Sequence, residues 1–245
     1  MGQELEIRRE NELPATPEQV WEAVATGPGN LRWLYPMEIE PREGGTVSRG
    51  PSTVMVWDPP RRFACRYSND EQFSTSLEYG IDGCDGGSSV LRTVIRWLNK
   101  GAVDQYWAYK TDAAEKHATF YHHTLEQYLR YFNGRSATYV QAQGPPVSAE
   151  ADAFAVLRRS LGLAEDAAEG DAVRLTLAEL DPLDAVVDYL TPQFIGLRTA
   201  DGLYRFFGRN AWRWPVSLSH HLFGDDVDQG KTEHAWRAWL ERVFA

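Results

Sequence analysis

Residues Val103 to Phe132 constrain this chain more than any other stretch. They read as one long helix, roughly 45 Å at 1.5 Å per residue. Ala114, Ala118, Tyr121, Leu125 and Phe132 fall on one apolar stripe. Tyr106, Tyr109, Ala113, His117 and Phe120 form a second stripe beside it. An apolar arc this wide exceeds what one packing partner needs. The helix is therefore expected to pack against an N-terminal sheet on one stripe. The second stripe is expected to meet the second half of the chain or, through a homodimer, another copy.

The segments before that helix alternate with period two, as half-buried strands do. They are Glu4–Leu13, Met37–Glu40, Thr53–Trp57, Arg62–Tyr67, Ser74–Ile81 and Ser89–Leu98. In the last of them Leu91, Thr93, Ile95 and Trp97 share one face, and Arg92 and Arg96 share the other, so the sheet has one wet side. Between the first two strands lies "NELPATPEQVWEAV", residues 11–24. Thr16 is placed to cap a short helix Pro17–Ala25, with Pro17 at its first position and Gln19 completing a capping box.

After Asn133-Gly134 the same order begins again in degenerate form. A strand from Thr138 and a proline turn lead to Ser148, read as an N-cap, and to a helix carrying Phe154, Leu157 and Leu161. Strands at Ala172–Leu177, Asp184–Leu190, Phe194–Thr199 and Leu203–Gly208 follow, and Thr232–Phe244 closes the chain as a helix. Two units are expected, 1–134 and a smaller 135–245.

Three segments carry a family resemblance: "ELPATPEQVWEAVATG", "VMVWDPPRRFACRY" and "YHHTLEQYLRYF". With this order of elements, residues of about 3–133 resemble the START-like (SRPBCC, helix-grip) superfamily, nearest to homologues of the activator of heat-shock-protein ATPase. All three segments are architectural and none is a catalytic signature. The resemblance implies an α+β helix-grip fold: a curved antiparallel sheet wrapped round a long C-terminal helix, followed by the shorter repeat. It also implies a cavity for an apolar ligand between sheet and helix. Trp33, Ile95, Trp97, His117, Tyr121 and Leu125 are the residues expected to line it.

Other candidates are weaker. His122, His123 and Glu126, and later His220-His221, have no third ligand at zinc spacing, so solvated surface is the expectation. Asp181, Asp184 and Asp188, and Asp225, Asp226 and Asp228, match no cation loop and read as solvated turn acids. No nucleophile elbow, phosphate loop or dinucleotide fingerprint occurs. No catalytic residue, metal or cofactor is assigned.

The net charge of −10 argues against nucleic acid and against an anionic membrane surface as partners. No run of residues has the apolar length to span a bilayer, and the first ten residues lack a signal-peptide core. Two cysteines cannot build a disulfide framework, so a cytoplasmic protein is expected. The leading functional expectation is non-enzymatic binding of a small lipophilic molecule. The alternatives are a cyclase or hydrolase using the same cavity, and a co-chaperone-like module that docks a protein partner.

Overall fold

Strand β1 (Gln3–Leu13) runs directly into helix α1 (Pro17–Ala25), and the junction is built as the capping residues dictate. The Gln19 N–H donates to Thr16 Oγ1 at 3.4 Å, and the Thr16 N–H donates to Gln19 Oε1 at 2.9 Å. Val20, Trp21, Ala23 and Val24 on α1 are then buried. Helix α2 (Gly27–Leu31) follows. Strands β2 (Thr46–Val47), β3 (Ser52–Asp58), β4 (Arg62–Asn69), β5 (Phe73–Gly83) and β6 (Ser89–Asn99) come next, and helix α3 (Trp107–Tyr131) ends the set. The computed structural model describes residues 2–48, 50–69, 72–176 and 182–245.

The six strands form one antiparallel sheet in the order β1-β6-β5-β4-β3-β2. β6 pairs along its whole length with β1 on one side and β5 on the other. Its Arg92 and Arg96 face outward and meet carboxylates of neighbouring strands: Arg92 pairs with Glu10 and Asp82, and Arg96 with Glu6. A register shift between Val54 and Val56 bends β3 where it pairs with β4. The expected strand at Met37–Glu40 is only a single bridge, Ile39 to Val47.

Helix α3 starts four residues later than the periodicity implies. Asp104 accepts the Tyr106 N–H at 2.8 Å and the Lys110 ammonium at 2.6 Å, which holds the residues before Trp107 in a turn. Tyr106 and Tyr109 are exposed, whereas Ala113 and Phe120 on the same stripe are buried.

The second half repeats the topology. Strand β7 (Thr138–Gln143) leads to helix α4 (Ala153–Ser160). Strands β8 (Ala172–Leu175), β9 (Leu183–Leu190), β10 (Phe194–Arg198), β11 (Gly202–Phe207) and β12 (Ser217–Leu222) follow, then helix α5 (Gln229–Val243). The sheet order is β7-β12-β11-β10-β9-β8, the same path as in the first half. The chain divides into two compact units, Met1–Gly134 and Arg135–Ala245. Each is an α+β unit in which an antiparallel sheet is packed with a closing helix.

Several sequence expectations for this half are corrected. Ser148 lies in a short 3₁₀ turn, where its hydroxyl donates to the Pro145 carbonyl, and Asp152 holds the N-cap position of α4. β12, with the sequence SLSHHL, was not expected; all six residues are buried, so no alternation marks it as a strand. The expected strand end at Leu177, like Asp181, lies outside the described residues.

The core of the second unit is dense with aromatic side chains. Trp236 and Trp239 of α5 stand 5.5 Å apart, and Trp236 contacts Tyr204 at 6.1 Å and Phe206 at 5.8 Å. Truncating Trp236 leaves a void that surrounding rings cannot close. Trp236→Ala should therefore cost about 3–5 kcal/mol. Thr16→Ala should cost about 1 kcal/mol through loss of the cap alone. Denaturant midpoints at constant slope measure both, and a cap variant with an unshifted midpoint rejects the assigned role of Thr16.

Candidate functional site

Between the first sheet and α3 lies a cavity of about 310 Å³. Its sheet wall comes from inward residues of adjacent strands: Phe63 and Cys65 on β4, Leu77 and Tyr79 on β5, and Ile95 and Trp97 on β6. These are register neighbours, Phe63 opposite Tyr79 and Leu77 opposite Ile95, so the pleat presents them together. The helix wall is made by Ala114, His117, Ala118, Tyr121 and His122. Trp33 and Tyr35, beyond α2, close one side.

Of the residues expected from sequence, Trp33, Ile95, Trp97, His117 and Tyr121 line this cavity. Leu125 is fully buried and is not among its lining residues. It sits one helical turn past Tyr121, about 6 Å further along the axis. Tyr79, Phe63, Cys65 and His122 were not anticipated. The alternation of β4 and β5 places the first three inward, but only the register shows which inward residues meet the helix.

The polar groups in the wall are mostly committed to the protein. Trp33 Nε1–H donates to the Ala23 carbonyl at 2.9 Å. Asn30 Nδ2 donates to the Val24 carbonyl at 3.0 Å and the Thr26 carbonyl at 2.8 Å. His122 Nδ1–H donates to the Ala118 carbonyl at 2.7 Å, because a carbonyl can only accept. That tautomer leaves Nε2 as the acceptor, and Thr93 Oγ1–H lies 2.8 Å from it. Both ring nitrogens of His122 are thus occupied. Burial, with the charge of Arg9 adding, holds its pKa below the ordinary histidine value. Burial likewise pushes the Cys65 thiol up to about 11. His117 Nδ1 lies 2.7 Å from the Ala113 carbonyl and its ring faces Tyr121 at 6.1 Å.

Some of the candidates read as solvated surface or turn acids are corrected here, while Asp225 and Asp226 are exposed in a turn as expected. His122 is 6% exposed, and His220 and His221 are buried on β12. The Arg205 N–H donates to His220 Nδ1, so Nε2 carries the proton, with no hydrogen-bond partner among the described residues. The edge of that ring meets Trp236, with centroids 4.5 Å apart. Burial depresses its pKa to about 3. Asp184 and Asp188 lie on β9, not in a turn. Asp184 faces solvent against Arg174, while Asp188 is buried against Arg205, 3.0 Å from its guanidinium. Asp228 caps α5 by accepting the Lys231 N–H. Among the described residues no group of three or more His, Cys, Asp or Glu side chains is placed to hold a metal ion. No helix among them is long and apolar enough to cross a membrane.

The second unit has an open hollow of about 600 Å³ at the start of α5. Asp226, Asp228 and Lys231 line it beside Tyr204 and Trp236. Although larger, it is a charged depression next to a filled core. The first-unit cavity has the apolar, aromatic lining of a small-molecule site.

Sheet path, closing helices and cavity together define a protein of two successive helix-grip units, the first hollow. No family model matches the chain, and no curated protein does. Solved structures similar in form include protein MLL2253 from Mesorhizobium loti (14% identity, 52% of this chain and 98% of that chain, TM-score 0.43). The di-domain ARO/CYC BexL from the BE-7585A biosynthetic pathway is another (11% identity, 96% of this chain and 93% of that chain, TM-score 0.45). CalU16 from Micromonospora echinospora is a third (16% identity, 51% of this chain and 86% of that chain, TM-score 0.37). At such TM-scores the likenesses carry no argument; the architecture rests on the strand order and helices described above.

The buried histidines set a pH dependence. Both have folded pKa values below the ordinary 6.5 of an exposed ring. Below that pH the unfolded chain takes up protons that the folded rings refuse. Stability from the neutral rings is therefore complete above pH 6.5 and falls as the pH drops, for His220 toward about 3. The window between about pH 6.5 and 5 precedes most carboxylate titration. There His122→Gln and His220→Gln should each flatten the decline in denaturant midpoint with pH. Slopes parallel to the parent protein would reject the assignment.

Proposed function

We propose that the first unit binds a small lipophilic molecule in the cavity between its sheet and α3, without transforming it. The observation that supports this reading is the cavity itself, about 310 Å³ and lined largely by aromatic and aliphatic side chains. That volume falls at the lower end of ligand pockets, which suits a compact ring system rather than a long chain. His122, the buried histidine in its wall, has both nitrogens occupied by Ala118 and Thr93. That removes His122 as a general base, since a general base needs a free nitrogen within reach of the substrate. The architectural segments at residues 12–27, 54–67 and 121–132 support, in our reading, a likeness of this unit to homologues of the activator of heat-shock-protein ATPase.

Native mass spectrometry of the full chain as purified tests the reading directly, since a retained small molecule appears as added mass. In parallel, an apolar fluorescent probe should quench tryptophan emission, because Trp33 and Trp97 line the cavity. Trp97→Ala and Tyr121→Ala should each weaken that probe roughly tenfold, by removing aromatic contact area. If several chemically different apolar probes fail to bind the folded protein and no mass is retained, the reading is wrong.

A further inference from the structure

We propose that the first-unit cavity accepts only uncharged ligands and reads one hydrogen-bond acceptor on them, a carbonyl or ether oxygen, through the hydroxyl of Tyr79. This rests on the reading of the cavity as a binding site and deepens it. The first observation is what the wall lacks: no Asp, Glu, Lys or Arg is among the residues that line the cavity. A carboxylate or phosphate brought inside would lose its water and meet no permanent counter-charge, which is among the most costly forms of burial. Free fatty acids and phosphorylated headgroups are therefore excluded from the cavity.

The second observation is Tyr79. It is 4% exposed and lines the cavity. No described residue forms a hydrogen bond with its hydroxyl. Phe63 stacks against its ring, with centroids 6.2 Å apart. Buried tyrosine hydroxyls are normally paired, so one without a partner on a cavity-lining residue is suited to a ligand's polar atom. The surroundings keep it a donor: burial holds the phenol well above its ordinary pKa, with Tyr35 and Cys65 adding to the effect. Two other donors in the wall are spent, as the Trp33 indole and the Asn30 amide give their hydrogens to backbone carbonyls. Tyr79 is a specificity residue, and the class it selects is a neutral, compact, mostly aromatic molecule with an oxygen acceptor.

Three probes on one skeleton test this against the full chain: 1-ethylnaphthalene, 1-acetonaphthone and 1-naphthoate, with affinities from tryptophan quenching. The ketone should bind several-fold tighter than the hydrocarbon, and the carboxylate at least roughly a hundredfold weaker than the ketone. Tyr79→Phe keeps the ring and removes the hydroxyl. It should weaken the ketone several-fold, to the level of the hydrocarbon, and leave the hydrocarbon unchanged. The unchanged hydrocarbon also reports that the variant is folded, and the order of the three probes on the parent protein needs no variant. Ketone affinity untouched by Tyr79→Phe, or a carboxylate binding as well as the ketone, overturns the proposal while leaving the binding reading intact. Binding of none of the three overturns both, and the insensitivity of other apolar probes to Trp97→Ala marks that case.

Discussion

The pairing of β6 with both neighbours is the contact on which the first unit depends. Eleven residues of β6 are in register with β1 on one side and with β5 on the other. Its alternation sends Leu91, Thr93, Ile95 and Trp97 toward α3, and Arg92 and Arg96 toward solvent carboxylates. A slip of one residue would exchange these two sets completely. It would drive two guanidinium groups under the helix and put Trp97 in water. Thr93 would also lose His122, whose neutral tautomer that hydroxyl satisfies. The charged pairs outside add little energy, since they are half exposed, but they oppose the slip.

The two units use one topology and fill it differently. Over the first sheet α3 presents Ala114 and Ala118, whose short side chains leave room above Ile95 and Trp97. Over the second sheet α5 presents Trp236 and Trp239, which occupy the corresponding layer and join Phe206, Leu218 and Leu240 in a continuous core. The difference between a hollow grip and a solid one is thus a choice of small or large residues on the closing helix. The buried Arg205–Asp188 pair and the neutral His220 sit in the solid unit. Polar groups in such surroundings specify one packing at some expense in stability.

Local chemistry was the legible part of this fold. Thr16, Pro17 and Gln19 announce α1, and the alternation of Leu91 to Trp97 announces β6, because each depends only on sequence neighbours. The repeated element order was legible for the same reason. Buried strands were not: SLSHHL has no wet face, so it carries no period, and its histidines resemble ligands or surface until β11 and β7 enclose them. Asp188 looked like a turn acid because its partner Arg205 lies two strands away. At the site, helix periodicity put Tyr121 and His117 on apolar faces, and strand periodicity did the same for Ile95 and Trp97, while the cavity was only implied by the resemblance. Tyr79 is on an inward position of β5, yet nothing local distinguishes it from the stacking partner of Phe63 that it also is. A missing hydrogen bond is a three-dimensional fact and has no signature along the chain.

In each sheet the first strand of the unit pairs with the last, β1 with β6 and β7 with β12. A ribosome delivers these partners far apart in time. Gln3 leaves the tunnel long before Asn99, the residue opposite it. Until then β1, with Leu5 and Ile7 on its inner face, is an unpaired apolar edge, the kind of segment that chaperones hold and other chains capture. The second unit repeats the wait, since Thr138 must find Leu222. Sheet closure by non-local ends makes folding slower than local hairpins would. Synthesis thus presents this chain with two separate intervals of vulnerability, each ended by the arrival of a single strand.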